Sequence, residues 1–179
     1  MTENPITQIS DQAFKDYRKK KFQAARDGFQ KCVEMLSQTD QEKDLAEMRN
    51  NLSVTFIDLH EPQQAYDTVL GTDVVFEKLG DKKSQAMALA NLGTALQSLG
   101  RKEEALSTFE KSSDLFKEIG EKFMRATVLK KISDLQLTTG KPLQAVASMQ
   151  ASYDQKEQKT LKDKILQGTL GQIIRKFFN

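Results

Sequence analysis

The sequence has no tryptophan, one cysteine, one histidine and three prolines in 179 residues. A lone Cys32 excludes an intramolecular disulfide. It sits where the pattern described below wants a small buried residue, so it reads as inert packing, with a reactive thiol as the alternative. A lone His60 leaves no His/Cys spacing for a metal and no histidine to serve a Ser or Cys nucleophile. Glycine-rich phosphate loops and the strand-to-helix nucleophile turn are missing as well. Neither an enzyme activity nor a cofactor is expected from these residues. No apolar run approaches the roughly 20 residues that span a bilayer. The N-terminal MTENPITQISDQ lacks the apolar core of a secretory signal, so a cytoplasmic protein without membrane contact is expected. A net charge of +2 supplies no strong field for nucleic acid. The one dense basic run, Arg18-Lys19-Lys20-Lys21, reads as a solvated turn, with a nuclear-localisation or acidic-partner site as the alternative.

What is present in abundance is Ala, Leu, Lys, Glu and Gln, the residues that favour helix. They recur with a period. Sliding the chain by 40 residues superimposes Ala25, Ala65, Ala105 and Ala145. The same slide aligns Ala46 with Ala86 and Ala126, Leu52 with Leu92 and Ile132, and Gly80 with Gly120. A fixed period in this range, made of two helices and a turn, is the mark of a solenoid. The clearest copy runs from Ser84 to Gly120.

Taken in order, a first helix is predicted over about Ile6–Lys19 and its partner over about Lys21–Leu36, with Phe22, Ala25, Phe29, Cys32, Val33 and Leu36 on one stripe. The second repeat starts near Gln41, its inner stripe formed by Leu45, Ala46, Arg49, Leu52, Ser53, Phe56 and Leu59. Pro62 opens its second helix, where a missing N–H costs nothing. Gly71 inside that helix costs about 1 kcal/mol against Ala. With no proline to drive a kink, it is read as a close approach between helices. In the third repeat Ala86, Leu89, Leu92, Gly93, Leu96 and Leu99 form the packed face, followed by Ala105, Leu106, Phe109, Leu115, Phe116 and Ile119. The fourth carries Ala126, Leu129, Ile132, Ser133 and Leu137, then Pro142, Ala145, Val146, Met149 and Tyr153. Pro62 and Pro142 lie two periods apart, both opening a second helix. A last helix, about 161–178, is read as a cap for the final apolar face, and its Arg175-Lys176-Phe177-Phe178 end as self-capping or, alternatively, a partner site.

Small residues recur because antiparallel helices approach to about 8–10 Å only where the crossing side chains are small. Ala105 and its equivalents supply this on the second helix. Gly93, with Ala13, Ser53 and Ser133, supplies it on the first.

Asn91, Leu92, Gly93, Leu96, Gly100, Ala105 and Phe109 together form a pattern that resembles the tetratricopeptide repeat. At 40 residues the repeat is similar to the long-helix variety of kinesin light chains, Pins-type polarity adaptors and bacterial regulatory proteins. The departures are Asp16 and Gln136 where an aromatic or Leu is usual, and Lys20 and His60 where Gly is common. The resemblance implies an all-α, right-handed α-solenoid: one domain of four hairpins (about 6–38, 41–80, 81–120 and 121–157) with a C-terminal capping helix. It also implies a non-enzymatic protein–protein interaction module, whose stacked first helices line a concave groove for a peptide or partner segment. A peptide-responsive regulatory domain and a scaffold that self-assembles through its terminal helices are the alternatives.

Residues between the packed positions of the first helices are the groove candidates. They include Met87, Ala90, Asn91, Thr94, Gln97 and Ser98 in repeat three, and Glu47, Asn50, Asn51, Val54, Ile57 and Asp58 in repeat two. Repeat four offers Thr127, Lys130, Lys131, Asp134 and Thr138; repeat one offers Ser10, Asp11, Phe14, Tyr17 and Arg18. An Asn amide both donates and accepts, so it can pair with a peptide backbone whatever its sequence. The resemblance implies that role for Asn51 and Asn91, one period apart, with Asn50 an added candidate. Bridging between neighbouring first helices is the alternative. Lys130 and Lys131 suit an acidic residue or a C-terminal carboxylate.

Overall fold

A computed structural model describes residues 4–155 together with Gly168, Thr169 and Gln172. The described residues are helical and contain no strand. The helices are α1 (Pro5–Arg18), α2 (Phe22–Leu36), α3 (Glu42–Asp58), α4 (Pro62–Val69), α5 (Thr72–Lys78), α6 (Lys82–Ser98), α7 (Lys102–Glu118), α8 (Lys122–Thr138) and α9 (Pro142–Asp154). All three prolines occupy the first turn of a helix, as expected of Pro62 and Pro142. Gly168, Thr169 and Gln172 are helical; the rest of the expected cap over 161–178 lies outside the described residues.

The turns follow one design. Lys20, His60, Gly100 and Gly140 end first helices, and Gly80 and Gly120 end second helices, all with φ between 59° and 77°. After each first helix the next N–H reaches back to a carbonyl five residues earlier: Lys21 to Asp16, Glu61 to Phe56, Arg101 to Leu96 and Lys141 to Gln136, at 2.8–3.0 Å. This closes the helix with the reverse hydrogen bonds of a left-handed cap. Lys20 and His60, which depart from the family pattern in sequence, adopt the glycine conformation all the same.

The chain forms two compact units, Met1–Arg101 and Lys102–Asn179, so that α6 belongs to the first and α7 to the second. In the first unit α1 packs on α2, α2 on α3, and α3 on α4, α5 and α6. Ala13, Ala25, Phe29 and Leu52 form one buried cluster, with Phe14, Tyr17, Val33, Met48 and Phe56 packed around it. Ala46, Phe76 and Ala88 form another. Cys32 is fully buried, its Sγ 3.7 Å from the Ile6 carbonyl, and burial pushes its thiol above the ordinary range. That is the inert packing role. Asp81 caps α6 by accepting the Ser84 N–H at 3.0 Å and pairs with Lys43 at 3.3 Å.

In the second unit α8 packs on α7 and on α9. Ser133 donates to the Ala145 carbonyl at 2.8 Å across the crossing, and Ser152 to the Ala126 carbonyl at 2.7 Å. Gln136, out of pattern in sequence, is buried and accepts from Ser148 Oγ at 2.8 Å. Its side-chain oxygen has a partner, which helps a polar residue stand where a Leu is usual.

Two expectations are corrected here. Gly71 is not a close approach: a Cβ built on it would meet nothing within 4 Å. It sits at φ 81° and splits the expected single helix into α4 and α5. The close approach lies instead at Gly28 of α2, where an added Cβ would stand 2.7 Å from the Ala13 Cβ of α1. Leu137, named with the fourth repeat's pattern residues, is 55% exposed.

Candidate functional site

The candidate residues divide between the two units. Asn51 on α3 and Asn91 on α6 belong to the first, on helices that pack together. Each is half-buried, and neither side-chain amide makes a hydrogen bond among the described residues. Two amides one period apart therefore keep donor and acceptor available. Met87, one helical turn before Asn91, is 40% exposed. Thr94, on the same face, spends its hydroxyl proton on the Ala90 carbonyl at 2.8 Å. Val54 and Glu47 flank Asn51 at helical spacing and are half-buried.

Asn50 does not join them. It is 8% exposed, and its Oδ1 accepts from the buried Thr72 hydroxyl at 3.1 Å. Consecutive residues on a helix point about 100° apart, so if one asparagine faces outward the next turns inward. Phe14 and Tyr17 are also committed to packing. Phe14 meets Phe29 edge-on at 5.0 Å, and Tyr17 meets Phe22 at 5.6 Å. The Tyr17 hydroxyl donates to Asp58 Oδ2 at 2.6 Å; burial first, then the carboxylate, raise its pKa well above the usual phenol range.

In the second unit Lys130 is exposed and Lys131 half-buried. The Lys131 ammonium lies 5.7 Å from the centroid of the Phe109 ring. Burial lowers its pKa, and Asp134 partly opposes this. A cation held over an aromatic face is oriented without being neutralised. Phe123, absent from the sequence-derived candidates, is 79% exposed at the start of α8. It precedes Thr127 and Lys130 at i+4 and i+7, the same face of the helix. An exposed aromatic at that spacing was the signal available in the sequence.

The sequence reading also missed Arg49. Expected on the packed stripe, Arg49 instead grips backbone with its guanidinium: Nε donates to the Thr68 carbonyl at 2.8 Å and Nη2 to the Leu70 carbonyl at 3.1 Å. The available signal was a cation on a buried stripe, paired with a glycine inside the following helix. No group of three or more His, Cys, Asp or Glu suited to a metal occurs among the described residues. None of the described helices is long and apolar enough to cross a membrane.

Residues 75–158 match the family model described as the tetratricopeptide repeat. No curated protein sequence matches the chain. Among solved structures it is similar to the apo form of RapI, 12% identical, with a TM-score of 0.76 over 99% of this chain and 50% of that one. It is similar to the Rap conjugation gene regulator of plasmid pLS20 in complex with the Phr* peptide, 14% identical, with a TM-score of 0.66 over 96% and 53%. The nearly identical TPR-like repeats of a putative kinesin light chain from Podosopora anserina match at 14% identity, with a TM-score of 0.56 over 98% of both chains. The chain spans about half the length of the Rap proteins it matches. At these identities the likeness establishes the fold, an α-solenoid of helical hairpins. With hairpins recurring every 40 residues, residues 75–158 match the tetratricopeptide-repeat model, and the fold of the described residues is that of the solved repeat structures.

Proposed function

We propose that the chain is a non-enzymatic interaction module that holds an extended peptide or partner segment along the first helices of its hairpins. The observation that carries this is the pair Asn51 and Asn91: equivalent positions on two adjacent helices, half-buried, each amide without a hydrogen bond among the described residues. A half-buried amide without a partner is costly unless water or a ligand satisfies it. Two of them at a repeat spacing suit the regularly spaced N–H and C=O groups of an extended backbone. Met87 and Val54 supply apolar contact beside them. In the second unit, taken by itself, Lys130 and Lys131 offer cations to an acidic residue or terminal carboxylate.

The test begins with affinity capture from the source cells and titration of the captured segment by calorimetry. Asn51→Ala with Asn91→Ala is expected to weaken binding at least tenfold, about 1.4 kcal/mol, while Tm stays within a degree or two. Unchanged affinity together with a large stability loss would assign the asparagines to helix bridging.

A second reading has its own support. The pLS20 Rap regulator was solved with the Phr* peptide, and the present fold resembles it. A short peptide acting as a regulatory signal would raise the chain's Tm when added alone. A folded partner would be needed for that shift if the chain is an adaptor.

A further inference from the structure

Repeat two differs from its sister repeats at residues that meet in space. Arg49 stands where Leu89 and Leu129 stand, Asn50 where Ala90 stands, and Gly71 where Lys111 stands. Around them the second helix breaks. α4 stops at Val69, Leu70 turns extended at ψ 124°, and Gly71 takes the left-handed conformation before α5 begins. The Arg49 guanidinium closes the open end of α4 through the Thr68 and Leu70 carbonyls. The Thr72 hydroxyl lies 2.8 Å from the Val69 carbonyl and 3.1 Å from Asn50 Oδ1, so α3 holds both sides of the break.

The break leaves the register intact. Ala65, Val69, Thr72 and Phe76 are buried, and so are their equivalents Ala105, Phe109, Ser112 and Phe116 on the unbroken α7. A straight helix from Pro62 to Lys78 would therefore bury the same side chains. What separates the straight and bent forms is local: the bonds of the amides of 71–74 gained by straightening, up to about four, against the arginine's bonds to backbone in the bent form and the helix penalty of Gly71.

We infer that the Leu70–Gly71 break is a two-state hinge, latched in the bent form by Arg49 and Asn50. Release of the latch lets α4 and α5 run together as one helix. Because α6 packs on α4, α5 and α3, the hinge also sets how the Asn91-bearing helix stands against the Asn51-bearing one. Its bearing on peptide binding rests on the proposed function; the hinge itself does not, and its test needs no peptide.

The test uses the full chain with Cys32→Ala, and nitroxide labels at Glu47→Cys and Met87→Cys, one period apart on α3 and α6. Pulsed electron paramagnetic resonance reads the distance between labels, and hydrogen exchange reads the amides of 71–74. The parent is expected to show one distance and fast exchange at those amides, which begin α5 and lack partners four residues back. Arg49→Met/Gly71→Ala is expected to show a second distance and exchange slowed about tenfold or more, because a continuous helix protects those amides. Arg49→Lys keeps the charge but loses the planar fork, and is expected to populate both forms. An unchanged distance and unprotected amides in these folded variants would overturn the hinge. If Arg49→Met does not fold, Gly71→Ala and Arg49→Lys decide the matter by the same two readouts.

Discussion

The Tyr17 hydroxyl donates to the Asp58 carboxylate at 2.6 Å, tying the last turn of α1 to the end of α3 one repeat later. Both residues lie on faces expected to line a groove, and both are instead engaged with each other. The bond links successive first helices, which the packing of α1 on α2 and α2 on α3 joins only indirectly.

Removing that hydroxyl has a measurable cost. Tyr17→Phe is expected to destabilise the chain by about 1 kcal/mol, since the bond is charge-assisted but only half-buried. Its pH dependence distinguishes it. The folded phenol titrates above the unfolded value of about 10, so in that interval the folded chain holds the proton that the unfolded chain has released. The contribution is complete below about pH 10 and is lost as pH rises beyond it. Urea denaturation at pH 8 and pH 10.5 should show the gap between wild type and Tyr17→Phe narrowing at the higher pH.

Lys20 and His60 occupy a backbone conformation that costs an L side chain about 1 kcal/mol and costs glycine nothing. Lys20→Gly and His60→Gly are each expected to stabilise the chain by up to about that amount, less the entropy of a freer unfolded chain. The reverse change, Gly100→Ala, should destabilise it. Thermal denaturation of the three variants checks the sign, and a loss of stability in both glycine variants would show that the side chains contribute more than the turn conformation.

Ser53 and Ser133 occupy equivalent crossing positions with opposite outcomes. Ser133 donates to the Ala145 carbonyl at 2.8 Å, whereas the fully buried Ser53 hydroxyl has no partner among the described residues. Ser133→Ala is expected to cost about 1 kcal/mol and Ser53→Ala to be neutral or stabilising by up to about 1 kcal/mol. Equilibrium unfolding in urea separates them, and equal losses at both sites would contradict the difference in pairing.

Much of the fold was legible because it is written by local rules applied repeatedly. Ala25, Ala65, Ala105 and Ala145 mark the crossings and are all at or near zero exposure. Pro62 and Pro142 open helices, and Gly80, Gly100, Gly120 and Gly140 close them in the left-handed conformation. Of the candidate binding face, the period aligned Asn51 with Asn91, and the family resemblance implied their role. The period misassigned Asn50, Phe14 and Tyr17, because a 40-residue slide gives equivalent positions without saying which polar group finds a partner nearby.

By itself, then, the sequence determined the helices and their period, since capping, helix propensity and a repeated apolar stripe act over a few residues. Tertiary structure alone decided what happens at Gly71. Local propensity makes that glycine a tolerable flaw in one helix. Arg49, 22 residues earlier on α3, meets the freed carbonyls of Thr68 and Leu70 and turns the flaw into a break. A hydrogen bond between residues that far apart in the chain is not set by local propensity, and the packing of α3 on α4 and α5 brings it about.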